Sequence, residues 1–190
     1  MINIFAKKSL GQNFLHSKPT IEKIVEAGEL TPVDSVLEIG PGTGILTEAL
    51  LKKACSVFVV EKDDRLIAPL KEKFSKEITE GRLTVIHGDA LTFDPTVART
   101  VLATNLKAGE YKIIANIPYY ITGQFFRRFL SEGAPPSTLV ALIQKEVADR
   151  IVANDHKESL LSLSVKAYGT AKRVAVVGRG CFSPAPNVDS

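Results

Sequence analysis

The chain is poor in the residues that build disulfide and metal frameworks. Its two cysteines, Cys55 and Cys181, stand far apart with no CxxC pair, which excludes a disulfide scaffold and argues against a zinc site. Free thiols in a reducing compartment are expected instead. The three histidines, His16, His87 and His156, are scattered without ligand spacing, so no metal is expected. No apolar run approaches the roughly 20 residues that cross a bilayer. The opening Met1-Ile-Asn-Ile-Phe-Ala-Lys-Lys has no apolar core of signal-peptide length. The expectation is a cytoplasmic protein with no membrane partner. Charge of either sign is barely in excess: 24 Lys+Arg against 21 Asp+Glu give a net +3, which permits a nucleic-acid partner without demanding one. Internal repeats, low-complexity segments and interdomain linkers are also absent.

What is present is an ordinary globular composition, 45% hydrophobic and 24% charged over 190 residues. A chain of this length buries about 70% of its unfolded surface and is expected to form one domain, 1–190. Helix and strand signals alternate, the mark of an α/β fold. Helices are expected over 18–29, 45–54, 68–80, about 123–131 and 145–153. Strands are expected over 35–39, 57–60, 83–86, 111–115 and 138–143. The continuous apolar run Val57–Val60 suits a parallel strand buried on both faces. From Leu160 onward, Leu-Leu-Ser-Leu-Ser-Val-Lys-Ala-Tyr and Arg-Val-Ala-Val-Val read as two closely spaced strands, an antiparallel closing pair. The Pro-rich Phe182-Ser-Pro-Ala-Pro-Asn-Val-Asp-Ser190 stops without a closing element, as though cut from something longer.

Gly40-Pro-Gly-Thr-Gly44 lies between a strand and a helix. Glycines let backbone approach a ligand, and a helix N-terminus favours a negative group. The pattern is GxGxG rather than the GxGxxG of dinucleotide enzymes, which disfavours a nicotinamide-dependent oxidoreductase. Glu61 ends the second strand about 20 residues on, where a carboxylate can accept both ribose hydroxyls of a nucleoside. Asp89, after the third strand, can accept from an adenine amino group. Together these features describe a nucleoside site at one edge of a sheet.

Asn116-Ile-Pro-Tyr119 follows the fourth strand. The exocyclic amine of a base is a poor nucleophile because its lone pair is delocalised into the ring. Two acceptors, the Asn116 side-chain oxygen and a nearby backbone carbonyl, favour a pyramidal nitrogen with an available lone pair. Pro118 fixes φ and aims the carbonyls. Tyr119 offers a ring face to a base taken from its stack. No strong general base is required, because the amine sheds its proton after attack, and the remaining work is positioning for in-line transfer.

In combination and order, these motifs resemble the small-subunit ribosomal RNA adenine N6,N6-dimethyltransferases. The matching elements are Gly11-Gln-Asn-Phe-Leu15, Glu38-Ile-Gly-Pro-Gly-Thr-Gly44, Glu61-Lys62, Gly88-Asp-Ala90, Asn116-Ile-Pro-Tyr-Tyr120, Gln144-Lys-Glu-Val-Ala148 and Phe182-Ser-Pro-Ala-Pro186. The resemblance implies a Rossmann-like class I methyltransferase fold: a seven-stranded, mostly parallel sheet with an antiparallel last strand and helices on both faces. It implies S-adenosyl-L-methionine as cofactor and two adjacent adenosines in small-subunit rRNA as substrate. A second role in ribosome biogenesis is also implied. Gln12, Asn13 and Leu15 would close over the cofactor. Gly40 and Gly42 would line its methionine moiety, Glu61 and Lys62 its ribose, and Asp89 and Ala90 its adenine. Asn116 would touch cofactor and, with Pro118, hold the target amine. Tyr119, Tyr120 and Phe182 would form the base pocket. A monomer is expected, and the small helical C-terminal domain that helps such enzymes grip RNA would be truncated here.

Departures and alternatives remain. Ser17 stands where the family often has Asp, and Ala153-Asn-Asp-His-Lys-Glu-Ser-Leu160 replaces a glycine-containing loop. Related large-subunit enzymes of the antibiotic-resistance type share Gln-Asn-Phe-Leu and Asn-Ile-Pro-Tyr, and a non-catalytic assembly factor is a further reading. Arg127 or Arg128 can either edge a core helix or meet RNA phosphate. The same choice holds for Lys7 and Lys8, and for Lys172, Arg173 and Arg179.

Overall fold

A computed structural model describes residues 6–54, 56–94, 109–132, 134–153 and 158–190. Cys55, His156 and most of the substituted loop after Ala153 lie outside the described residues, as does the side chain of Lys8. Among the described residues the strands are β1 (Phe14–Leu15), β2 (Ser35–Ile39), β3 (Ser56–Glu61), β4 (Leu83–His87), β5 (Tyr111–Asn116), β6 (Thr138–Leu142) and β7 (Phe182–Ser183). The α-helices are α1 (Lys18–Ala27), α2 (Ile45–Leu51), α3 (Asp64–Lys73), α4 (Ser75–Thr79), α5 (Thr122–Phe126), α6 (Lys145–Val152) and α7 (Leu160–Lys166). A π-helical turn, Arg127–Ser131, continues α5.

The β-branched runs of β2 and β3 pair in parallel at the centre of a five-stranded sheet of order β4-β3-β2-β5-β6. Every residue of β2 is buried, as a strand covered on both faces requires. Alternation sorts the side chains. Val36, Val57, Val59 and Ile114 face a layer built by α1, α2 and α3, where Ile21, Leu50, Leu66 and Leu70 pack. Leu37, Ile39, Phe58, Val60 and Ile113 face the other layer, around Phe125, Phe129 and Ile151. The expected Rossmann-like architecture is therefore present, with helices on both faces. The seven strands divide: β1 and β7 pair antiparallel with each other as a separate two-stranded ribbon.

Two expectations change. The helix expected over 68–80 begins earlier and is broken. Asp63 caps it by accepting from the Arg65 N–H, so Pro69 falls inside α3, where it costs one backbone hydrogen bond. Burial of Leu66 and Leu70 on the same helix outweighs that cost. The antiparallel pair expected from Leu160 is corrected more fully. Leu160–Lys166 is helix α7, started by the Ser159 hydroxyl accepting from the Ser162 N–H at 3.2 Å. The Leu-Ser alternation mimics period two, yet Leu161 and Val165, four apart, pack on the core from one helical face. The later Val-rich stretch belongs to no strand; its Val177 exchanges two backbone hydrogen bonds with Ser190.

Tyr111 sets the depth of β5. It is fully buried, and its hydroxyl donates to the Ala134 carbonyl at 2.6 Å; burial holds its pKa above the usual phenol value. Tyr111→Phe removes that donor and strands a buried carbonyl. Urea unfolding of the variant is expected to show a loss of about 1–3 kcal/mol. An unchanged midpoint and slope would contradict the assignment.

Candidate active site

The C-terminal ends of β2, β3, β4 and β5 meet on one edge, at the point where strand order reverses between β2 and β5. Open α/β sheets bind ligands there. The first contribution is the glycine turn after β2. Gly40 and Gly42 hold φ of 68° and 58°, backbone that glycine adopts at little cost. A Cβ on Gly42 would lie 3.0 Å from the Phe14 ring, so a side chain there would also press on that ring. The turn is anchored by the Gly40 N–H donating to the Val60 carbonyl at 3.0 Å and by Lys73 Nζ donating to the Thr43 carbonyl at 3.3 Å.

Carboxylates surround this turn, each handled differently. Glu38 is buried beneath it and accepts from the Thr47 hydroxyl at 2.6 Å. Burial above all, then the nearby Glu61, raises its pKa to about 8, with Thr47 partly opposing. Glu61 ends β3, nearly buried, and accepts from the Asp63 N–H at 2.8 Å and the Gly42 N–H at 3.1 Å. Burial raises its pKa, and those two amides hold the rise in check. Asp89 follows β4 and takes a 2.8 Å ion pair from Lys62 and a 3.0 Å bond from the Leu91 N–H. Burial pushes Asp89 upward, but the Lys62 and Leu91 donors outweigh it and the net shift is downward.

Asn116 ends β5. Its Nδ2 donates to the Asn13 carbonyl at 3.2 Å. Because that partner accepts only, the amide orientation is fixed and Oδ1 remains the available acceptor. Pro118 follows with φ −55° and ψ 130°, and its carbonyl accepts from the Ile121 N–H at 3.1 Å. Tyr119 is partly buried, its hydroxyl 2.8 Å from the Ser190 hydroxyl. Tyr120 is 57% exposed and lies against Gly11, where a Cβ would meet its ring at 3.1 Å.

Residues 10–14 cross this edge and complete a pocket of about 90 Å³ that opens to solvent. Pockets for small molecules start near ~300 Å³, so a nucleoside-sized ligand requires the rim to yield. Of the residues expected from sequence, Gln12, Asn13, Gly40, Gly42, Glu61, Lys62, Asp89, Ala90, Asn116, Pro118, Tyr119 and Tyr120 all line the pocket. Leu15 and Phe182 do not. They pair across the β1–β7 ribbon and sit in the α1-side core at 5% and 4% exposure. The Phe182 ring packs in that core in this structure. Arg128 is likewise engaged, donating from Nε and Nη2 to the Phe93 carbonyl at 3.1 and 2.8 Å; Arg127 and Arg173 pair with Glu132 and Asp149. Sequence reasoning missed Phe14, Ile39, Val60 and Ile117, which give the pocket apolar walls, and Asp63 beside it. Phe14, Ile39 and Ile117 lie inside the matching motifs without a role of their own, and Val60 is marked only by its strand-end position.

Comparison with known proteins gives this geometry a family. The model for "Ribosomal RNA adenine dimethylase" matches residues 4–190. The chain belongs to the ribosomal RNA adenine dimethylase family. It is 44% identical over 185 residues to a ribosomal RNA small subunit methyltransferase A of Dehalococcoides mccartyi, covering 97% of this chain and 60% of that protein. A Bacillus pumilus protein of the same name is 40% identical, covering 97% and 62%. Among solved structures, a dimethyladenosine transferase from Plasmodium falciparum matches with TM-score 0.75 and 32% identity, over 93% of this chain and 60% of that one. The 23S rRNA methyltransferase ErmE matches with TM-score 0.77 and 31% identity, over 93% and 66%. The chain thus spans about 60% of the length of the curated relatives it matches. No helix among the described residues is long and apolar enough to cross a membrane.

Glu38 generates a prediction of its own. An acid whose folded pKa lies above its ordinary 4.5 takes up a proton on folding between that value and about 8. Stability from this group is therefore greatest at low pH and falls as pH rises through that window, by at most about 1.4 kcal/mol per unit. Glu38→Gln is expected to flatten the decline in a thermal-melt series from pH 5 to 8. Identical slopes in both proteins would contradict it.

Proposed function

We propose that the protein transfers methyl groups from S-adenosyl-L-methionine to the N6 atoms of two adjacent adenosines in a hairpin of small-subunit ribosomal RNA. We take residues 1–190 as the methyltransferase catalytic domain, the remaining length of the relatives corresponding to a helical RNA-binding domain. The observation that carries the reading is one pocket edge holding a glycine turn, two strand-end carboxylates and the Asn116-Ile-Pro-Tyr119 turn.

The donor set fits the cofactor. Glu61 has an acceptor for a ribose diol, Asp89 one for an adenine amino group, and the Gly40–Gly42 backbone admits close approach without a Cβ. When bound, S-adenosylmethionine supplies an electrophilic methyl on its sulfonium. The chain's own residues do the rest. Asn116 Oδ1 and a backbone carbonyl of its turn accept from the target amine, holding its lone pair out of conjugation. The Tyr119 ring stacks on a base drawn from its helix, with Tyr120 beside it. Asp89, partly exposed and paired with Lys62, would accept from the adenine amino group.

The small-subunit substrate follows the names of the curated relatives. The likeness to a 23S rRNA methyltransferase favours a second reading, a large-subunit adenine. We place the enzyme in the cytoplasm, as a monomer acting on immature small subunits, with a second role in subunit biogenesis that subunit binding without cofactor would reveal.

Labelled S-adenosylmethionine with immature subunits, followed by mapping of the label, tests the proposal. Dimethyladenosine at two adjacent small-subunit positions is expected, and Asn116→Ala is expected to lower the rate about 10²–10³-fold. Label in large-subunit RNA would select the second reading. An undiminished rate in Asn116→Ala would overturn the assigned chemistry.

A further inference from the structure

One buried carboxylate, that of Asp63, gathers most of the side-chain contacts of the segment that closes the pocket, with the exposed Asp64 adding a 3.6 Å ion pair to Lys7. Asp63 is 1% exposed. Its Oδ2 accepts from Gln12 Nε2 at 2.8 Å and Arg65 Nη2 at 2.6 Å. Its Oδ1 accepts from Arg65 Nε at 2.9 Å, the Arg65 N–H at 3.3 Å and Lys7 Nζ at 3.4 Å. Capping of α3 accounts for the Arg65 N–H alone. Lys7 and Gln12 come from 56 and 51 residues away, a long loop to close for a helix cap. Gln12 is fixed from its other side, its Oε1 accepting from the Lys7 N–H at 2.7 Å.

The contacts form a continuous path into the site. Asp63 also donates its N–H to Glu61 at 2.8 Å. One residue past Gln12, the Asn13 carbonyl accepts from Asn116 Nδ2. We infer that Asp63 is a positioning residue: its buried carboxylate staples residues 7–13 across the pocket, so that the Asn13 carbonyl orients the Asn116 amide while Glu61 is held for the ribose. Both bonds of the staple end on an ionised carboxylate, and the 2.8 Å Gln12 bond, rather than the longer Lys7 contact, has the length of a strong charge-assisted one. Opening it to admit ligand exposes Lys7 and Gln12 to water while Arg65 keeps the carboxylate partnered. Asp63 is thus never left as an unpaired buried charge. The catalytic consequence rests on the proposed methyl-donor reading of the pocket; the staple itself does not.

Amide hydrogen exchange on the ligand-free protein reads the staple directly. Asp63→Asn is expected to raise exchange at residues 9–15 about tenfold, one hydrogen bond's worth of opening. Arg65→Ala, which removes the helix-side partner, is expected to leave those amides within about twofold. Gln12→Glu sets a second carboxylate against Asp63 without touching α3, and is expected to reproduce the effect even if Asp63→Asn folds poorly. In methyl transfer at saturating donor, Asp63→Asn is expected to lower kcat with the RNA KM unchanged, because the Asn116 amide loses its orientation. Unchanged exchange at 9–15 in both Asp63→Asn and Gln12→Glu, or an equal rise in Arg65→Ala, would overturn the staple. Failure of the wild-type protein to bind S-adenosylhomocysteine would instead defeat the reading of the pocket, and the exchange result would still decide the staple.

Discussion

Everything at the site depends on the double ladder along β2. Ile39 lies level with Val60 on one side and Ala115 on the other, and Glu61 is level with His87 one strand further out. That register brings the Gly40 turn, Glu61 and Asn116 to one height, with Asp89 two residues past the β4 end. A slip of one residue on either ladder would send alternate side chains to the opposite face. It would place Glu38 among the aromatic rings around Phe125 and move Val36 and Val59 out of the α1–α3 layer. Burial of β2 on both faces makes such a slip prohibitively costly, so the core fixes the site.

The same edge concentrates acids in a poorly solvated place, and the fold resolves each by a separate means. Glu38 sits deepest and leans towards its neutral form, a single threonine hydroxyl donating to it. Glu61 is met by two backbone amides. Asp63 is clamped by Arg65, with Lys7 and Gln12 added, and its pKa falls well below the usual carboxylate range. Asp89, nearest the rim, is paired with Lys62 in a bridge whose partners are 51% and 31% exposed, weak enough to exchange for a ligand. The gradient runs from locked at the bottom to replaceable at the mouth. A nucleoside pocket that must both hold its shape and turn over calls for that order.

Much of this was legible in the sequence, because local chemistry and tertiary role coincide there. The β-branched runs of β2 and β3, the glycine turn, and Glu61 and Asp89 at strand ends carry their meaning in a few neighbouring residues. So does Asn116-Ile-Pro-Tyr119. What was illegible depends on partners distant in the chain. Asp63 reads as one more surface acid after Lys62; only Gln12 and Lys7, arriving from the other end of the first half, give it a further task. The mutual pairing that puts Leu15 and Phe182 in the core joins residues from opposite ends of the chain and has no local sign. The choice for Arg128 between a core edge and a phosphate contact turns on the Phe93 carbonyl, which accepts from it. In α7 the alternation of leucine and serine favoured a strand, and the decisive facts were the Ser159 cap and the packing of Leu161 and Val165, neither visible as a local period.

In the proposed function, Glu61 recognises a ribose diol across the sheet edge. The most direct measurement is calorimetric titration of wild type and Glu61→Gln with S-adenosylhomocysteine and with its 2′,3′-dideoxy analogue. In wild type the analogue is predicted to bind about tenfold or more weakly, the value of a hydrogen bond to a charged acceptor. In Glu61→Gln that difference is predicted to shrink towards nothing, since the interaction is already lost. An analogue penalty of equal size in both proteins would place the ribose elsewhere and contradict the account.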